Sequence, residues 1–221
     1  MIKKIFVIVT SMTLLSTFAM SATTNVGVKG YYGTLDATGS ETTNDSVTLS
    51  KSGNADFPFA SLFLERELNY SGYNVALGVD YMPFKTEVET LGGGTGTDAK
   101  VKLKDYYTVY VQPTKVLDNG LGIFVKLGYS EGTLNITDLT RQATSSATSS
   151  VSPASTDSGA TRTLKGVTYG VGFEKTFTNF FVRAEYNFTD YDNISYTNSN
   201  SKVLKASADL TTGSLTIGKK F

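Results

Sequence analysis

Apolar and polar residues alternate with a period of two along most of the chain beyond residue 22. In YNVALGVDYM (73–82) one face carries Tyr73, Val75, Leu77, Val79 and Tyr81, and the other Asn74, Ala76, Gly78, Asp80 and Met82. A two-residue period is that of an extended strand with one apolar face. LGIFVKLGYS (121–130), GVTYGVGFEK (166–175) and FFVRAEYNF (180–188) repeat it. Four further segments alternate less cleanly: 25–35, 57–69, 104–112 and 210–221. In the second of these Arg66 shares a face with Leu62, Leu64 and Leu68. It lies near the end of its segment, where a long side chain can snorkel to water. The pattern predicts eight strands.

The connections follow a rule of their own. Three are short: Tyr70-Ser71-Gly72, Asp118-Asn119-Gly120 and Thr178-Asn179. Four are long and polar, spanning 36–56, 85–103, 131–163 and 190–208. Long and short alternate strictly. In an up-and-down meander all long loops then leave one end, and all short turns the other. The third long connection, RQATSSATSSVSPASTDSGATR, is of low complexity.

Alternation does not say which face looks inward. A soluble eight-stranded barrel hides its apolar face around a ligand; a membrane barrel turns it to lipid. Three features favour lipid. The polar face is rich in Gly, Ala, Ser and Thr, which suit a crowded interior. Its charges are mixed in sign: Lys29, Glu65, Glu67, Asp80, Lys126, Glu174, Arg183, Glu185 and Lys220. Opposite charges across a narrow lumen can pair, as buried charges must. Tyr73, Tyr81, Tyr129 and Phe188 sit near strand ends on the apolar face, as in an aromatic girdle, though the chain has no Trp. Inside lipid every backbone polar group must be paired, so the eighth strand has to close on the first. By parity the network predicts that Arg183 pairs with a carboxylate of another strand, Glu65 or Glu174.

Composition narrows the chemistry. Twenty basic and twenty acidic residues leave no net charge, which argues against nucleic acid as a partner. There is no Cys and no His, so disulfides, thiolate metal sites and Ser-His mechanisms are excluded. The first 22 residues read as a cleaved secretory signal. Lys3 and Lys4 precede the apolar run IFVIVTSMTLL, and STFAMSA supplies small residues for cleavage. The expected organisation is a signal peptide over 1–22, give or take one residue, and a single barrel domain over 23–221.

The chain ends in SLTIGKKF. Leu215, Ile217 and Phe221 share one face of that strand, and Phe221 is last. This ending, with VRAEYNFTDYDNISY (182–196), resembles the small bacterial outer-membrane barrels of the OmpA/OmpX-like superfamily, the opacity or surface-antigen type. In that family the alternating apolar ending with a final aromatic is the signal read by the barrel-assembly machinery. Leu215, Ile217 and Phe221 match it, whereas Lys219 stands where an apolar residue is usual. The resemblance implies an all-β, eight-stranded antiparallel up-and-down transmembrane β-barrel in the outer membrane. It implies no cofactor and no enzyme activity, with outer-membrane lipid, lipopolysaccharide and the assembly machinery as partners, and an unidentified partner for the loops. A monomer is expected. The periplasmic domain found after the barrel in some members is not implied, because the sequence stops at strand eight.

Other motifs carry less. LGGGTGTDAK (91–100) lacks the Gly-Lys-Ser/Thr ending of a phosphate loop and reads as a surface loop. Asp190 and Asp192 could hold a hard cation at a strand end, but their spacing lacks the Gly and closing Glu of an EF-hand loop. Asn44, Asn135, Asn187 and Asn193 begin N-x-S/T triplets, which are discounted in this setting. The lumen carboxylates could be acid/base pairs, but with cations on the same face an ion-pair network is the better reading. The functional expectation is a structural, surface-displaying barrel; the alternative is a narrow porin-like channel for ions or small solutes.

Overall fold

The computed structural model describes residues 22–42, 48–88, 97–141, 161–197 and 203–221. The expected signal segment, apart from Ala22, lies outside them, as do the Asn44 triplet, most of LGGGTGTDAK and most of the low-complexity connection. Among the described residues ten strands are formed: β1 (Ala22–Thr42), β2 (Thr48–Tyr70), β3 (Tyr73–Tyr81), β4 (Thr86–Val88), β5 (Thr97–Val116), β6 (Leu121–Arg141), β7 (Thr161–Thr176), β8 (Phe180–Tyr191), β9 (Ile194–Thr197) and β10 (Val203–Lys220). Eight make the wall, each antiparallel to the next. β4 and β9 are short and pair with β5 and β10 only. The β1–β10 ladder, from Asn25↔Lys220 to Thr42↔Val203, closes the barrel.

The register fixes its shape. A line across the ladders from Val26 passes Leu64, Val79, Val109, Tyr129, Val167, Asp190 and Asp209 and returns to β1 at Asp36. The displacement, 36 − 26, is a shear of ten residues. Eight strands with that shear tilt by roughly 40° and enclose a backbone cylinder about 8 Å in radius. Such an interior holds side chains and little else.

Two of the short turns are set by glycine: Gly72 and Gly120 both have φ of 74°, in the left-handed region that a side chain disfavours. The four long connections differ from the expectation of loops. β1 and β2 stay paired up to Thr42↔Thr48, and β5 and β6 up to Thr97↔Arg141. Apart from a few apolar positions such as Val101 and Leu103, these stretches are built of polar residues and glycine, so hydropathy carries only a weak period.

One bulge explains why 104–112 alternates poorly. Between Lys104 and Tyr107 the β5–β6 register shifts, and Asp105 takes a positive φ of 55°. The extra residue lets Leu103, Tyr106 and Thr108 all point inward.

The outer face is apolar and uncovered. Val28, Leu62, Val125, Leu127, Val171, Phe173, Leu215 and Ile217 are all exposed. That is far more apolar surface than a water-soluble barrel presents. Tyr32, Tyr129, Tyr169 and Phe188 ring one end of this band, and Tyr73, Phe177, Phe180 and Phe221 the other. Val79, outward by register, is nevertheless buried.

Candidate functional site: a filled lumen

Inward-facing residues divide into three layers, stacked from the short-turn end towards the long strands. The first is charged. Eight of the nine charges expected in the lumen are buried there; Lys220 sits at the rim, its side chain 16% exposed. Arg183 on β8 is the hub. Its guanidinium reaches Glu65 on β2 at 2.7 Å and Glu174 on β7 at 2.7 Å. The contact with Glu65 is two-pronged, through Nη1 and Nη2, the fork geometry arginine offers a carboxylate. Phe181, Phe124 and Phe63 surround the same group at 4.9, 5.3 and 6.0 Å. Lys220 bridges Glu67 and Glu174. Above this cluster Lys29 joins Asp80 at 2.9 Å and Glu185 at 3.0 Å, and Lys126 also binds Glu185.

Small inward residues make room for the rings. A Cβ on Gly78 would come within 2.3 Å of the Tyr110 ring, and one on Gly172 within 2.3 Å of Phe124. Tyr110 in turn donates its hydroxyl to Glu65 Oε1 at 2.6 Å. The lumen is thus filled by aromatic rings lying against glycines as well as by ion pairs.

The second layer is a belt of hydroxyls. Thr108, Ser130, Thr168 and Thr189 are linked in series, and the Tyr106 hydroxyl donates to Ser130 at 3.2 Å. The third layer is apolar. Leu35, Phe57, Phe59, Met82, Leu103, Leu164, Tyr191 and Leu210 form one buried cluster with Tyr106. Tyr31 stacks on Phe59 at 4.3 Å. Charged and polar residues line the lower part of the lumen, and the inward face turns apolar above it. The signal was present: Leu35, Phe57, Phe59 and Leu210 continue the inward parity of their strands.

Leu215, Ile217 and Phe221 face outward, 73%, 54% and 67% exposed. Phe221 exchanges backbone hydrogen bonds with Thr24, so the last residue extends the closing ladder.

Just above the aromatic ring the outer face turns acidic, with Asp36, Asp190 and Asp209 side by side. Partial burial, then Asp190, then Asp36 push the Asp209 carboxyl up. Asp192 is not brought into this group: it is exposed, and its backbone N–H donates to Lys165. Among the described residues no cluster of three or more Asp or Glu could hold a metal ion.

The family described as "Outer membrane protein beta-barrel domain" matches residues 8–213. No curated protein matches the chain. Among solved structures, Ail, the attachment invasion locus protein of Yersinia pestis, is 15% identical over 89% of this chain and 98% of its own, with a TM-score of 0.45. Neisserial surface protein A is 11% identical over 87% of this chain and 97% of its own, with a TM-score of 0.39. The toluene transporter TodX of P. putida is 10% identical over 95% of this chain and 92% of its own, with a TM-score of 0.28. These likenesses are distant, whereas the family match spans nearly the whole chain. On that match the chain belongs to the outer-membrane protein β-barrel family and is an integral barrel of the bacterial outer membrane.

Proposed function

We propose that this barrel is a non-enzymatic anchor that holds four long strand-built segments at the cell surface and passes no solute. The observation that carries the reading is the double filling of the lumen. Ion pairs occupy one level and an aromatic and aliphatic cluster another. A solute crossing the barrel would have to open both, and the two respond to different chemistry. The narrow-channel alternative requires a continuous wet path, which the apolar level opposes. The anchor's immediate partners are outer-membrane lipid and lipopolysaccharide, with the assembly machinery reading Leu215, Ile217 and Phe221. A partner outside the cell would meet the segments that rise beyond the aromatic ring. The closed ladder leaves no unpaired edge in the apolar band, so one copy suffices to span the membrane.

Planar-bilayer recording on the refolded barrel tests the reading. The expected outcome is a silent bilayer, with no passage of sugars into barrel-loaded vesicles. Steady, large conductance with sugar permeation would reject the anchor and establish the channel.

A further inference from the structure

The strands that run down to the short-turn end share a feature on their outer face. β2, β5, β7 and β10 each carry one outward cation as they leave the apolar band: Arg66, Lys115, Lys175 and Lys219. Each has the parity of an exposed apolar residue on its own strand, Leu62, Pro113, Phe173 and Ile217. The three lysines stand in the same place of the hairpin pattern. They pair with Tyr73, Leu121 and Phe180, the first residues of β3, β6 and β8.

The register brings the four cations to one level. On the sheared cylinder their Cα atoms fall within about 4 Å of a common height. They occupy every second strand of the wall, so neighbours are roughly 10 Å apart and the ring is closed. Their head groups are held at the lower aromatic ring. Lys115 Nζ lies 3.9 Å from the centre of the Tyr73 ring, and Lys219 Nζ 4.7 Å from that of Phe221. Lys175 donates to the Asn119 carbonyl at 2.6 Å, and Arg66 to Thr24 Oγ1 at 2.7 Å. All these partners are neutral, and among the described residues none of the four cations meets a carboxylate. Glu67 and Glu174, at the same end, are buried in the lumen. Asp118, in the second turn, is the one exposed acid there among the described residues.

A ring of cations at a lipid–water boundary attracts phosphate. A zwitterionic headgroup brings a cation of its own, for which this face has almost no acid. A headgroup whose phosphate is its sole charge gains most. Above the ring Ile123, Phe173 and Ile217 are 42%, 54% and 54% exposed, a surface for the acyl chains.

We propose that this collar is a docking surface for anionic phospholipid in the leaflet at the short-turn end, phosphatidylglycerol being the headgroup that fits. The proposal rests on the lipid-facing outer wall that the anchor also requires, and it names the lipid that the lower leaflet supplies.

The chain has no Trp, so a single introduced Trp reports alone. Phe180→Trp places it on β8, between Lys219 of β10 and Lys175 of β7. Tyr32→Trp places it at the other end of the apolar band, where Tyr32 is 61% exposed. Each full barrel is refolded into phosphatidylcholine vesicles with a minor fraction of brominated phosphatidylglycerol or brominated phosphatidylcholine, and folding is checked by gel mobility. Quenching then gives the relative binding of the two headgroups. Both leaflets hold the same lipids, so the direction of insertion does not enter. The Phe180→Trp barrel should prefer phosphatidylglycerol about two- to five-fold, less so in high salt, and the Tyr32→Trp barrel should show no preference. Adding Lys219→Gln to Phe180→Trp should bring the ratio towards one, and Lys219→Arg should keep it; Lys175→Gln serves if the first variant does not fold. Equal quenching by the two lipids at Phe180→Trp, the same preference at Tyr32→Trp, or a preference that survives both Gln variants would overturn the proposal. Quenching by neither lipid at either site would overturn it together with the lipid-facing wall. Conductance plays no part in this readout, so a conducting barrel that keeps the preference would reject the anchor and support the collar.

Discussion

Replacing Arg183 by Ala removes the hub of the charged layer. Glu65 and Glu174 each lose a contact of 2.7 Å, and Glu65 loses a two-pronged partner. The lower cluster would hold three carboxylates against Lys220 alone. Breaking a buried pair from one side costs about 3–5 kcal/mol, because the abandoned charge stays out of water. Water reaches this end of the lumen past the rim, so the low end of that range is expected. Arg183→Lys keeps the charge but loses the fork, and should fall between wild type and Ala. The cost is electrostatic if removing Glu65 as well restores part of it. Arg183→Ala with Glu65→Gln should show a coupling of about 1–3 kcal/mol. Urea unfolding of vesicle-embedded barrel, read by gel mobility without boiling, measures all five proteins, the Glu65→Gln single variant included. Arg183→Ala within about 0.5 kcal/mol of wild type, the range of an ordinary surface change, would refute the reasoning. Conductance should remain low in the variant, because the cluster around Phe57, Phe59 and Tyr106 is untouched.

Three further outcomes follow from other parts of the barrel. Val125 is 53% exposed on the outer face, so Val125→Arg should lower stability in vesicles by about 2–4 kcal/mol, the cost of arginine near a bilayer midplane; an unchanged folding titration would remove the lipid-facing assignment. Deleting Phe221 should reduce the amount of barrel inserted in cells while leaving protein refolded in detergent able to close, and normal insertion would end the assembly-signal reading. The raised Asp209 carboxyl means that the folded state holds its proton more tightly than the unfolded chain does. Its ionisation therefore opposes folding as pH rises through the folded pKa, and the penalty fades as pH falls towards the unfolded value. Asp209→Asn should stabilise the barrel slightly at neutral pH and lose that advantage in acid; an advantage that grows in acid would contradict the assignment.

The wall was legible because lipid and lumen impose opposite demands on neighbouring residues, and period-two alternation records both. Faces were read correctly even where one residue broke the pattern: Arg66, outward among leucines, donates to Thr24 at 2.7 Å. Strand ends were not legible. The paired stretches 38–42 and 48–52 are mostly Thr, Ser, Gly and charged residues, so their hydropathy hardly distinguishes a paired strand from a loop. The bulge at Asp105 was hidden for another reason. It adds one residue without any Gly or Pro to mark it, and it shows in sequence only as alternation that slips.

The layers of the lumen were harder to see than the faces, and the shear explains why. Parity tells which residues point inward but not the height at which they stand. With a shear of ten over eight strands, each step around the barrel climbs by more than one residue, so equal heights fall at unrelated positions in sequence. Arg183 and Glu65 are 118 residues apart and meet side chain to side chain. Phe57, Leu164 and Leu210 come together above them in one apolar level. Read strand by strand, the inward residues look like a single polar face with stray apolar members. Placed on the sheared cylinder, the strays stand together near one end, the hydroxyls below them and the charges lowest. The apolar level is therefore not a lapse in the alternation. It begins at the level of the aromatic ring, where Tyr31 stacks on Phe59, and there the inward face closes as an ordinary protein core does, by excluding water rather than by pairing charge.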